Sequence, residues 1–267
     1  MVDGLRAFYW IASLWIRSTI AYRASFAMLA GGQFVVTGLD FVVVYFMFTH
    51  THALGGFDLA EVAFLYGTSG CAMGLADLLV GNAERMGRKI RTGEFDVMLI
   101  RPVPAFVQAA ADAFGIHRLG RVTQGAVVLI WSLAALDVDW TPARVLVVPG
   151  MLICGTVIFS AIFVLGGAFQ FAATDAAEVA NAFTYGGNFL TQYPPTIFAK
   201  ELVVTATFVI PLGFVNWMPS MYVLAHPDPL GLPRAFDFAS PLAALAISAV
   251  AALAWRAGVR SYRSTGS

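Results

Sequence analysis

Six long apolar runs, parted by short polar stretches, set the terms on which this chain can fold. An α-helix needs about twenty mostly apolar residues to cross ~30 Å of hydrocarbon, and every backbone N–H and C=O there has to be satisfied within the segment. The runs cover residues 25–48, 59–80, 122–136, 145–171, 202–217 and 240–257. Charged residues make up 12% of the chain, about half the roughly 25% of soluble domains. The expected fold is therefore all-α, a polytopic membrane protein with six transmembrane helices in a single domain over residues 1–267. The run at 122–136 is short for a bilayer and is expected to begin a turn or two earlier. Pro211 is expected to bend the fifth span.

Three stretches fall outside the runs. Residues 1–24 place Arg6, Ser13 and Arg17 on one helical face and Leu5, Phe8, Ala12, Trp15 and Ile16 on the other. That pattern predicts an amphipathic helix lying in the membrane interface, with Tyr9, Trp10 and Trp15 at headgroup depth. Residues 174–200 mix Asp175, Glu178, Asn181, Asn188 and Gln192 with Tyr193-Pro194-Pro195, and predict a short interfacial helix followed by a proline-broken turn. Residues 218–238, with Pro219, Pro227, Pro229 and Pro233, predict an external loop or re-entrant hairpin between spans five and six.

Six spans put both chain ends on one side. Of the 16 Lys and Arg, all but Arg144 and Arg234 then fall on that side. The positive-inside rule makes it the cytoplasm, together with the polar region 81–121.

The motifs exclude more than they assign. Neither Lys89 nor Lys200 is followed by Ser or Thr, so no phosphate-cradling P-loop exists, and any driving nucleotide has to bind another chain. There is no GxSxG nucleophile elbow and no metal-ligand spacing; His50 and His52 read as a solvated turn, and Cys71 and Cys154 as small packed residues. A net charge of zero carries no argument for nucleic acid. Two acids lie inside spans, Asp40 and Asp77. Ionised groups at that depth face a protein interior or a water-filled path. Either they line a translocation path that attracts a cationic substrate or bond across helices, or they reach interface water or cap a helix.

The most informative stretch is 81–104, GNAERMGRKIRTGEFDVMLIRPVP. Its basic half carries Glu84, Arg85, Arg88, Lys89 and Arg91; Gly93 breaks the helix; Glu94, Phe95 and Asp96 open the next; Leu99 lies in its apolar part; and Arg101-Pro102 closes it. Lipid phosphates explain the arginines but not this order. The run from Arg88 to Pro102, RKIRTGEFDVMLIRP, resembles the first cytoplasmic loop of bacterial ABC type-2 permeases, in the viologen-exporter-like branch. The N-terminal interfacial helix, six spans and external hairpin are similar to that family along the whole chain.

The resemblance implies a non-catalytic permease subunit of an ATP-driven exporter in the bacterial plasma membrane. Two permeases, identical or related, would pair over an ABC ATPase dimer. ATP and Mg2+ would sit on the ATPases, with no cofactor on this chain. The implied coupling residues are Glu84, Arg85, Arg88, Arg91, Gly93, Glu94, Phe95, Asp96, Leu99, Arg101 and Pro102, in a coupling helix between spans two and three. The implied substrate is a small amphiphilic or cationic compound moved outward in multidrug-type efflux. An ion-gradient-driven carrier is the alternative, but it predicts inverted repeats and several midplane ionisable groups, neither of which the sequence holds. A membrane-embedded enzyme or scaffold lacks a nucleophile or metal site.

Overall fold

A computed structural model describes residues 2–264 as a helical bundle. The helices are α1 (Val2–Ala21), α2 (Arg23–Phe48), α3 (Leu59–Val80), α4 (Met86–Arg91), α5 (Glu94–Ile100), α6 (Ala105–Ala111), α7 (Leu119–Ala135), α8 (Pro142–Phe169), α9 (Ala177–Thr191), α10 (Lys200–Phe208), α11 (Trp217–Leu224) and α12 (Ser240–Ser261). Among the described residues the extended structure is one isolated bridge, Leu54 with Phe57.

The bundle is built round α3. Asp58 caps its start: its carboxylate accepts from Glu61 N at 2.8 Å while Glu61 Oε2 accepts from Asp58 N at 2.9 Å, the reciprocal pairing that satisfies two orphan N–H groups. Unlike a surface helix, α3 is buried on every side from Val62 to Gly74, as expected of a helix apolar all round. α7 runs antiparallel along it. Val122 stands against Gly74, Leu129 against Gly67, and Ser132 Oγ donates to Ala60 O at 2.9 Å. From Ala60 to Gly74 is ~21 Å of helix axis, so α7 matches α3 over most of its length although it has only 17 residues. α8 and α12 close the opposite side of the core, through Ile158, Phe163, Ile247 and Trp255.

Four helical stretches are long and apolar enough to cross a membrane: Arg23–Phe48, Leu59–Arg91, Pro142–Phe169 and Ser240–Ser261. The first lies on the outside of the bundle, and Val35, Val36, Leu39, Val43 and Phe46 of α2 face away from the protein. α1 packs beside α6, with Phe8 edge-on to Phe114 at 6.0 Å, and keeps Leu5, Tyr9, Trp10 and Leu14 bare. The C-terminal end of α12 reaches α5, where Tyr262 Oη donates to Asp96 Oδ1. Both ends of the described chain therefore lie at the end of the bundle that carries residues 81–118.

The region 174–217 departs from its sequence reading. Residues 174–200 form the expected short helix, α9, and proline-broken turn, but the helix packs lengthwise on the bundle through Ala180, Thr184, Gly187 and Thr191. Thr184 meets Glu84 at one end of the bundle, Thr191 Oγ1 pairs with Ser69 Oγ at 2.6 Å halfway along α3, and Thr196 Oγ1 donates to Gly55 O at the far end. The segment thus travels the full length of α3. Thr184, Asn188 and Thr191 are satisfied against Glu84 and Ser69 within the bundle, whereas Asp175 and Glu178 stay exposed. Residues 202–217 are interrupted at Pro211 more sharply than by a bend, as a broken span or a re-entrant loop. α10 ends at Phe208, where Pro211 stops it, and the following helix leaves at 78°. Asn216 Nδ2 donates to Leu65 O at 2.9 Å, deeper in the bundle, and the chain then returns so that His226 meets Glu61 at 2.7 Å. The hairpin enters and leaves at the same end of α3. Residues 218–238 are correspondingly not all loop, since α11 carries the buried Met218, Met221 and Val223, and its apolar character reflects protein burial rather than lipid.

The α3–α7 contact makes a direct prediction. A Cβ on Gly67 would stand 2.7 Å from Leu129 N and 2.8 Å from its Cα, whereas one on Gly31 would meet nothing within 4 Å. Overpacking of this kind costs ~1–3 kcal/mol. Gly67→Ala is expected to lower the unfolding midpoint in detergent by several degrees and Gly31→Ala to leave it unchanged or raised, as read by scanning fluorimetry.

Candidate functional site

At the α5 end of the bundle, the chain from Gly81 to Ile100 folds as a 3-10 turn, then α4, then α5. Gly93 sits between the two helices at φ 72°, ψ 2°, the left-handed region that a side chain disfavours. It turns α5 back across the bundle floor. Phe95 is wholly buried, edge-on to Phe171 at 5.1 Å and to Tyr262 at 4.8 Å. Asp96 accepts from Tyr262 Oη and Ser264 Oγ, each at 2.9 Å. Gln108 Nε2 donates to Met98 O and Val103 O, both at 2.8 Å. Burial, and then the bond to Asp96, push the Tyr262 phenol above its ordinary range.

Charged side chains hold the preceding turn. The buried Lys89 pairs with Asp112 and lies 3.9 Å from Glu94. Arg91 reaches Asp175 at 2.5 Å and Thr174 O at 2.8 Å. Gln170 bridges the floor, its Oε1 accepting from Gly87 N at 2.7 Å and its Nε2 donating to Glu84 O at 2.6 Å. Glu84 is buried and accepts from Thr184 Oγ1 at 3.0 Å. Beside it, Arg118 binds Asp77 O at 2.6 Å and Asn82 Oδ1 at 2.9 Å. His117 is held below the usual imidazole range by burial and by Arg118.

The eleven residues singled out in the sequence thus divide. Arg85, Arg88, Arg91, Glu94, Leu99, Arg101 and Pro102 are exposed, whereas Glu84 and Phe95 are buried and Gly93 and Asp96 half-buried. The buried ones fasten the loop to the bundle; the exposed ones face outward. Two residues were not singled out: Ile100, 82% exposed, and Val97, 47%, which with Leu99, 46%, form a bare apolar edge on α5. The apolar run at 97–100 was legible, but its side was not, because Phe95 and Met98 are apolar too.

The two intramembrane acids part company. Asp77 is buried, 3.3 Å from Arg118 and 3.9 Å from Arg121, so it is an internal partner of α7. Asp40 is exposed on α2 and lines a cavity that also holds Arg121, Gln124 and Gln192. Those three residues carried no motif that would have joined them to Asp40. Among the described residues no group of three or more metal-ligating side chains gathers.

Residues 34–266 match the family model described as ABC-2 family transporter protein. No curated protein and no solved structure matches the chain.

The Phe95 anchorage is testable. Removing a buried Phe costs ~3–5 kcal/mol. Phe95→Ala is expected to free α5 from the floor, speeding amide hydrogen exchange over residues 94–100 at least about tenfold, while exchange in the middle of α3 stays slow.

Proposed function

The chain belongs to the ABC-2 transporter family, and we propose that it is the permease subunit of an ATP-driven exporter whose ATPase is a separate polypeptide. It is a multi-pass membrane protein of a family whose members are membrane transport components. Within that frame the α5 region is the coupling element, and α5 itself the coupling helix. The observation that carries this reading is the form of α5. It is a seven-residue helix fastened on one side through Phe95 and Asp96. On the outer side it presents Val97 and Ile100, one turn apart, with the exposed Leu99 flanking Phe95 and the exposed Arg101 next in the chain. An apolar edge with a polar rim is the anatomy of a protein contact.

The topology we propose keeps six crossings but replaces the fifth. α2, α3, α7, α8, the segment 177–197 and α12 cross, while α10 and α11 form a re-entrant hairpin on the external side. The contacts of residues 184, 191 and 196 along α3 support that assignment. Both termini and the α5 region then lie in the cytoplasm, with α1 in the interface beneath. The bare face of α2 fits a second permease, identical or related, with the substrate path between the two. In this reading ATP and Mg2+ bind the ATPase dimer, lipid phosphates meet the arginines at 85 and 88, and the membrane is a bacterial plasma membrane. The cargo is a small amphiphilic compound moved outward, as in the viologen-exporter-like branch.

Co-expression with candidate ABC ATPases of the same organism tests the proposal. Ile100→Glu and Leu99→Glu are expected to leave the unfolding midpoint of the purified chain unchanged and to weaken ATPase capture by about tenfold or more, ~1.4 kcal/mol. Thr51→Ala, at the opposite end, is expected to do neither. Capture that ignores both α5 substitutions, or no capture by the unaltered chain, overturns it.

A further inference from the structure

The cavity at Asp40 has two unmet needs of opposite sign. It lies among α2, α3, α7 and α9 and encloses about 170 Å³, the liquid volume of five or six waters. Asp40 faces it from an exposed position on α2, and no hydrogen bond or ion pair reaches its carboxylate among the described residues. An ionised carboxylate on a helix of this apolarity is costly without a partner.

The donors in the same cavity are as poorly served. Gln124 is 4% exposed, and its buried Nε2 makes no hydrogen bond of normal length, although the Tyr66 hydroxyl, which itself donates to Thr37 O, stands beside it. Arg121 is stacked over the Tyr185 ring at 5.3 Å and is 3.9 Å from Asp77, but its Nη1 makes no hydrogen bond. Buried donors without acceptors are rare in folded proteins, and each calls for an explanation. Water would meet both needs weakly and without selectivity; a ligand with both signs meets them together.

The packing gives the spacing. Gly120 of α7 stands at Phe34 of α2, and Gln124 at Gly38. Asp40 is therefore about one and a half turns beyond the level of Arg121, ~8 Å along the helix, and the arginine side chain shortens that gap. On the same stripe of α2 as Asp40 lie Val36 and Val43, at helical neighbour spacing, 61% and 58% exposed. They flank Asp40 on the outward side of α2 and lead as an apolar strip from the cavity's mouth to the outside of the bundle.

We propose that this cavity receives the head of a zwitterionic amphiphile, its cationic nitrogen against Asp40, its anionic group against Arg121 Nη1 and Gln124 Nε2, and its tail along Val36 and Val43. This rests on the permease reading and gives it a substrate class: a molecule whose two charges must both be read. A plain cation leaves the two donors unpaired, and a plain anion is repelled by Asp40. Discrimination therefore comes from unpaired groups on either wrong ligand.

The test uses the full chain in dodecyl maltoside and needs no ATPase, so its failure is separate from failure of ATPase capture. Hexylphosphocholine, hexyltrimethylammonium and hexyl phosphate are titrated calorimetrically. Hexylphosphocholine is expected to bind at least about tenfold tighter than either of the others. Asp40→Asn is expected to erase its advantage over hexyl phosphate. Gln124→Leu, which roughly keeps the volume and spares the Asp77–Arg121 contact, is expected to cut its advantage over hexyltrimethylammonium severalfold while leaving Arg121 to hold the rest. The inference is overturned if the three probes bind alike or not at all. It is equally overturned if Asp40→Asn changes the oligomeric state but not the binding, which would make a second copy of the chain the partner of Asp40.

Discussion

The approach of α7 to α3 at backbone distance is the contact on which the rest of the molecule depends. Gly67 and Gly74 face Leu129 and Val122 with no side chain between. In lipid the hydrophobic effect does not drive two apolar helices together, so association comes from close van der Waals fit and from hydrogen bonds such as Ser132 to Ala60. Once α7 is seated, α3 is enclosed, and everything attached to its two ends acquires a fixed position. At one end Glu61 holds His226 and the hairpin of α10 and α11. At the other, Asp77 holds Arg118 and Arg121, and the floor carrying α5 follows.

Besides the apolar anchorage of Phe95 and the small cluster of Ala12, Phe114 and Ile116, that floor is joined by polar links. Gln170 ties α8 to the 81–87 turn, Thr184 ties α9 to Glu84, and Lys89 ties α4 to Asp112. Each link is short-ranged and directional, so helix ends are held in register while the helices above keep separate apolar contacts. A displacement of α5 is passed to specific partners: to the end of α8 through Phe171, and to the end of α12 through Tyr262. α9 is reached through Glu84, on the other side of Gly93. The geometry has the components of a lever with two output arms.

Much of this was legible in the chain. The runs at α2, α3, α8 and α12 were found nearly to the residue, because lipid-facing or core helices this apolar have no other reading. The Gly93 break and the two short helices round it were legible from local chemistry. What failed was the assumption that low hydropathy means the surface. Asn188 and Thr191 meet Ser69 inside the bundle, a pairing across more than a hundred residues that no local window reports. α11 misled in the opposite sense, being apolar because it is buried in protein. Asp40 and Asp77 looked equivalent; only the arrival of Arg118 and Arg121 from another helix separates an internal ion pair from a bare carboxylate.

The position of Arg121 connects the two regions. One guanidinium stands within 3.9 Å of Asp77, on the helix that leads into the α5 floor, and also lines the cavity that contains Asp40. Asp77 pairs with this cation, whereas Asp40 shares only its cavity. A ligand anion that engages Arg121 competes with Asp77, and loosening Asp77 loosens the C-terminal end of α3, where Gly81 and Glu84 begin the floor. Conversely, a shift of the floor that pulls Asp77 away leaves Arg121 free to turn toward the cavity. Coupling between two sites requires a group whose two arrangements each favour one of them. On the proposed reading Arg121 is the residue so placed, beside Asp77 and stacked over the Tyr185 ring 5.3 Å away.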